Sequence, residues 1–123
     1  MHNLKELKIW QKARELVKEI YLLTDAFPDE EKYGLISQIR RCSVSIPSNI
    51  AEGAGRDTQK AFNNFLSISL GSSYELETQL ILCSDLKYIE ENQLAEMSVK
   101  LTEIQKMLSG LKKSLTNKQY INN

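Results

Sequence analysis

The sequence predicts an all-α protein, an up-down-up-down antiparallel four-helix bundle in which residues 1–123 make one domain. Three observations predict it. Only five glycines and two prolines occur in 123 residues, too few for the recurrent tight turns of an all-β chain. Apolar residues recur at spacings of three and four through four separate runs, the period of an amphipathic helix. Short connections join the runs, which makes successive helices antiparallel neighbours. With 41% hydrophobic residues, a chain of this length can bury one core without disulfides or metal.

The first run, over about residues 6–26, carries Trp10, Ala13, Val17, Ile20, Thr24 and Phe27, flanked by Ile9, Leu16 and Leu23. It should stop at Phe27-Pro28, because a residue before proline is pushed out of the helical region. Asp29, Glu30 and Glu31 then offer a cap and first-turn acids to a second helix over about 30–54. Its stripe is Leu35, Ile36, Ile39, Cys42, Ser43, Ile46 and Ile50, and Gly53 and Gly55 end it. Asp57 or Thr58 caps the third helix, about 58–88, whose seam is Phe62, Leu66, Ser69, Ser73, Leu76, Leu80 and Cys83. The fourth, about 92–116, has the most regular seam, Leu94, Met97, Leu101, Ile104, Leu108, Leu111 and Leu115. Residues 117–123 are expected to fray. A three-helix domain with a loose last helix is the alternative, but so clean a seam requires a partner.

Two features depart from a plain bundle. Pro47 sits inside the second helix, where it removes the bond to the Ser43 carbonyl and bends the helix at a cost of about 3 kcal/mol unless compensated. Ser43, Ser45 and Ser48 are the candidate compensating groups. Gly71, Ser72 and Ser73 fall in the middle of the third helix, where glycine costs about 1 kcal/mol relative to alanine. Small residues on both helices imply close backbone approach, and a tight crossing alone accounts for them. Charge adds to this: the 33 residues from Cys42 to Tyr74 hold only Glu52, Arg56, Asp57 and Lys60. So few charges suit a surface covered by another molecule. Ser37, Val44, Pro47, Ser48 and Ala51 of helix two, with Gly71 of helix three, are therefore expected to contact a second copy of the chain. Asn49, Glu52, Glu75 and Glu77 are expected to form a polar network with Arg40, Arg41 or Arg56. Those three arginines also suit phosphate contacts, since a guanidinium fork serves either partner.

Sixteen basic and sixteen acidic residues cancel, so net charge gives no support for nucleic-acid binding. Residues 1–24 and 91–123 are each +2, and residues 25–57 and 58–90 each −2. Helices one and four, side by side in an up-down bundle, could present Lys5, Lys8, Lys12, Arg14 and Lys18 with Lys100, Lys106, Lys112, Lys113 and Lys118 as a diffuse phosphate-binding surface, although a solvated face is the commoner reason for such charges. Catalytic machinery is not legible. The single histidine is His2, which leaves no Cys-His or Ser-His-Asp set within one chain. Glu75 and Glu77 point to different faces, and Gly53-Ala54-Gly55 ends a helix where a phosphate loop would begin one. The expectation is no enzyme, no cofactor, no metal and no small-molecule substrate. No run approaches the roughly 18 apolar residues of a membrane span, and Cys42 and Cys83 sit in helical runs as reduced thiols, so a cytoplasmic location is expected.

Residues 38–56, QIRRCSVSIPSNIAEGAGR, with IWQKARELVKEIY at 9–21, FPDEEKYGL at 27–35 and GSSYELETQL at 71–80, resemble the 23S rRNA intervening-sequence protein family of bacterial four-helix bundle proteins. Cys42 stands where that family usually carries alanine, a volume-tolerant change. The resemblance implies an up-down bundle assembled into a ring, typically a homopentamer. It also implies likeness to the accessory variability determinant of diversity-generating retroelements, a basic ring that binds nucleic acid and a reverse transcriptase. The partners so implied are further copies of the chain and either RNA or DNA, with an oligomeric scaffold for another protein as the alternative.

Overall fold

The computed structural model describes residues 3–121, and the side chains through residue 117; His2, and the Lys118 side chain, lie outside these. The described residues form four α-helices and no strand: α1 Lys8–Thr24, α2 Leu35–Ala54, α3 Gln59–Asp85 and α4 Glu91–Ile121. Each packs antiparallel on its sequence neighbour, and α4 closes the bundle against α1.

In α1 the buried stripe is Ile9, Ala13, Leu16, Ile20 and Thr24. Ala13, Ile20, Thr24 and Phe27 of the expected seam are buried, while the flanking Ile9 and Leu16 take the inner places of Trp10 and Val17, which sit half-buried on the border. The exchange is possible because both borders of the stripe are apolar. The chain leaves α1 at Asp25, and Phe27 packs its ring 5.5 Å from that of Tyr88.

The acids after Pro28 do not begin α2, contrary to the expected start near residue 30. Asp29–Glu31 form a separate 3-10 turn, and Gly34, at φ −107° and ψ −109°, separates it from the helix. The acidic cap is nevertheless made: the Glu31 carboxylate accepts the Leu35 N–H at 3.1 Å and the Tyr88 hydroxyl at 3.3 Å. In α2, Ile36, Ile39, Cys42, Ser43, Ile46 and Ile50 are buried.

Thr58 caps α3, its hydroxyl accepting the Ala61 N–H at 3.1 Å. The other end closes with Lys87 N–H donating to the Ser84 carbonyl and Tyr88 N–H to that of Cys83, the paired bonds of a Schellman cap. Lys87 occupies the left-handed position, φ 63°. In α4, Met97, Leu101, Ile104, Leu108 and Leu115 are buried, and the helix runs on to Ile121, past the residue 116 end expected from the seam. The continuous core runs from Ile9 and Phe62 at one end to Phe27 and Ile89 at the other.

Candidate interaction surfaces

Close approach of α2 and α3 is built from hydroxyls, a thiol and one glycine. The Ser69 hydroxyl donates to the Ile46 carbonyl at 2.9 Å, the Cys42 thiol to the Ser72 carbonyl at 3.1 Å, and the Ser45 and Ser72 hydroxyls meet at 2.8 Å. A Cβ on Gly53 would lie 2.7 Å from Phe62 Cδ1 and 2.9 Å from Phe65 Cβ, so the hairpin closes only around glycine there. Gly71 corrects the expectation that it serves the same purpose. It is exposed, and a Cβ added to it meets nothing within 4 Å.

Pro47 is buried in the bundle, on the same side of α2 as Ile46 and Ile50, which removes it from the expected outward contact set. The serines around it have separate partners. Ser43 donates to the Arg40 carbonyl at 2.8 Å, Asn49 Nδ2 donates to the Ser45 carbonyl and hydroxyl at 2.8 and 3.0 Å, and Ser48 is exposed. Val44 and Ser48 face solvent, and Ser37 and Ala51 are half-buried.

Of the expected polar network of Asn49, Glu52, Glu75 and Glu77 with the arginines, only the Glu52–Arg56 pair forms; the other three find different partners. Asn49 bonds within its own turn. Glu52 meets Arg56 at 3.5 Å, Glu77 accepts from Gln105 of α4 at 3.2 Å, and Glu75 lies by the Cys42 thiol. Burial, then the Glu75 charge, pushes Cys42 up to about 12; burial, then Glu31, pushes Cys83 up to about 11. Both thiols are therefore protonated and unreactive near neutral pH.

The arginines part company. Arg40 donates Nε–H to the Thr24 hydroxyl at 2.9 Å and its Nη2 to Asp25 at 2.8 Å, while its guanidinium lies 4.5 Å from the centre of the Tyr21 ring. It fastens the end of α1 to α2 and is committed there. Arg56 lies 4.8 Å over the Phe65 ring and remains half-exposed, and Arg41 is exposed. Neither the Arg40 anchor nor the Arg14 guanidinium 4.7 Å over Trp10 was expected; a threonine in the last turn of an apolar stripe is the one sequence signal of the former.

Helices α1 and α4 do lie side by side, but charges of opposite sign interleave between them. Lys12 meets Glu103 at 2.9 Å, an ion pair that raises the lysine above its ordinary range, and Lys100 pairs with Glu19. The Lys12 end of the expected basic face is thus neutralised. The cleft between these pairs, bounded by Leu16 and Ile104, holds about 160 Å³, below the roughly 300 Å³ at which ligand pockets begin. Lys112 donates to Ser67 of α3. Lys5, Lys8 and Lys113 are exposed. Among the described residues no three His, Cys, Asp or Glu side chains converge as a metal site, and no helix is long and apolar enough to cross a membrane.

The model of a family described as 23S rRNA-intervening sequence protein matches residues 5–110. A crystal structure of a protein with unknown function from the S23 ribosomal protein family of Bacteroides thetaiotaomicron is 30% identical. It superposes with a TM-score of 0.80, over 85% of this chain and 95% of that one. Neither description names an enzyme. No curated protein matches the chain.

Proposed function

Because the chain belongs to the 23S rRNA-intervening sequence protein family, we propose that it acts without catalysis, as an oligomer of bundles that associates with RNA or DNA. The observation that carries the reading is the outward face of the α2–α3 hairpin. Charge is nearly absent from Cys42 to Tyr74, yet Val44 is 39% and Ile68 51% exposed. Gly71 is open on the same stretch, where no neighbour in the chain requires a glycine. Leaving a roughly 1 kcal/mol helix penalty uncorrected at a position without an internal steric reason fits a backbone that another copy approaches closely.

Light scattering at micromolar concentration tests the first half. A defined multimer is expected, five copies if the assembly is the pentameric ring that the resemblance implies, and a strict monomer overturns it. Retention of a structured RNA, followed as salt rises, tests the second half, since phosphate contacts lose affinity steeply with ionic strength. No retention at about 50 mM salt removes the nucleic-acid reading and leaves an oligomeric scaffold for a protein partner. A reverse-transcriptase gene beside this one would place the chain in a retroelement, and flanking ribosomal RNA in an intervening sequence.

A further inference from the structure

The neutral net charge conceals a separation of charge along the bundle axis. The Ser45–Ser72 hydrogen bond and the cleft shared by Leu16 and Ile104 mark one level across all four helices. On one side of it, residues 3–16, 45–72 and 105–117 carry nine basic and four acidic side chains. On the other, residues 17–44 and 73–104 carry six basic and twelve acidic ones. One half is thus +5 and the other −6.

Helix dipoles do not account for this. They favour acids at helix N-termini and bases at C-termini, by about 0.3–1 kcal/mol each, and in an up-down bundle each end holds two of either kind. The dipole explains Glu91 at the start of α4 and Arg56 just past the end of α2. It opposes Lys8 in the first turn of α1, Lys60 in the first turn of α3, Asp25 just past α1 and Asp85 at the last residue of α3. Sign follows the end of the molecule even where it runs against the helix.

We infer that the basic end, presented by Lys5, Lys8, Arg56, Lys60, Lys112 and Lys113, is the surface that takes a polyanionic phosphate backbone. This rests on the nucleic-acid reading above and narrows it to one end of the bundle, away from the ion-paired α1–α4 flank. In an assembly of cyclic symmetry every copy turns the same end the same way, so the charge of one protomer is repeated around a rim. The acidic end repels the same ligand, which fixes the orientation of binding.

The test compares two triple variants of equal charge change, assayed with a fluorescein-labelled RNA stem-loop. Lys5→Gln with Lys8→Gln and Lys113→Gln removes exposed charges from the basic end. Lys18→Gln with Lys32→Gln and Lys87→Gln removes exposed charges from the acidic half. The basic-end variant should flatten the dependence of log affinity on log salt by about two to three, and the other should leave it within one. A second pair, Arg56→Gln with Lys60→Gln, serves if the first variant fails to fold by circular dichroism. Equal losses in both triples, or loss in the acidic-half variant alone, overturn the assignment while leaving RNA binding intact. Wild-type protein that binds no RNA at about 50 mM salt removes the nucleic-acid reading itself. If the basic-end variant keeps RNA affinity but abolishes low-salt growth of particle size, that end pairs with the acidic end of another copy and the assignment falls.

Discussion

Gly53 and Gly71 are the same residue type on facing helices, and the structure treats them oppositely. At Gly53 a single added carbon would press on Phe62 and Phe65 at under 3 Å, so Gly53→Ala is expected to lower stability. An overpacking cost of about 1–3 kcal/mol exceeds the roughly 1 kcal/mol that alanine returns in helix propensity. Urea denaturation checks it: an unchanged or higher midpoint contradicts the packing. From the sequence Gly53 reads as the end of a helix and Gly71 as an interruption of one; which of them marks an internal contact does not show there, because only the fold shows what lies opposite. Arg40 teaches the same point. Its side chain reads equally as phosphate contact or network member until Thr24, Tyr21 and Asp25 come within reach, and those lie fifteen to nineteen residues away in sequence.

At the scale of elements, the apolar period located all four helices, and the misses fall at ends and borders. In α1, Ile9 and Leu16 replace Trp10 and Val17 in the stripe because either pair continues the apolar pattern. The α2 start moved because Gly34 interrupts the turn begun by the three acids, and a capping argument alone does not register a break after the cap. The α3 end holds the one non-glycine residue with positive φ among the described residues, Lys87 at 63°. A side chain there pays about 1–2 kcal/mol for the left-handed conformation, and the Schellman bonds hold it in place. Lys87→Gly is expected to raise the unfolding midpoint, by about 0.5–1 kcal/mol after glycine's greater chain entropy is subtracted. A drop in thermal stability would show that the lysine side chain contributes more than its backbone costs.

At the scale of the whole molecule, the bundle's charge distribution required three dimensions to become visible. Segment by segment the sequence shows basic termini and an acidic middle, which suggested a basic flank along α1 and α4. Folding instead sets Glu19 and Glu103 among those lysines and collects the imbalance at the ends. The exposed Val44 and Ile68 of the α2–α3 face and the lysines of the charged end therefore sit on different parts of one surface, so that the proposed self-association and the proposed ligand contact do not call on the same side chains.

The ion-paired seam between α1 and α4 also bears on how the molecule opens. Where α2 and α3 add to their core packing the bonds of Ser45, Ser69, Ser72 and the Cys42 thiol and a hairpin closed on Phe62, α1 adds to its share of the core only solvent-accessible ion pairs with α4 that flank a small cleft. Exposed ion pairs contribute little and are screened by salt, and local opening favours elements with the fewest buried contacts. Amide hydrogen exchange should therefore release α1 before the α2–α3 hairpin, sooner still at high ionic strength; uniform protection across all four helices would show the bundle to be a single cooperative unit. If the order holds, the chain is a stable hairpin core with a first helix that can lift away, and the Arg40 anchor to Thr24 and Asp25 is the hinge about which it does so.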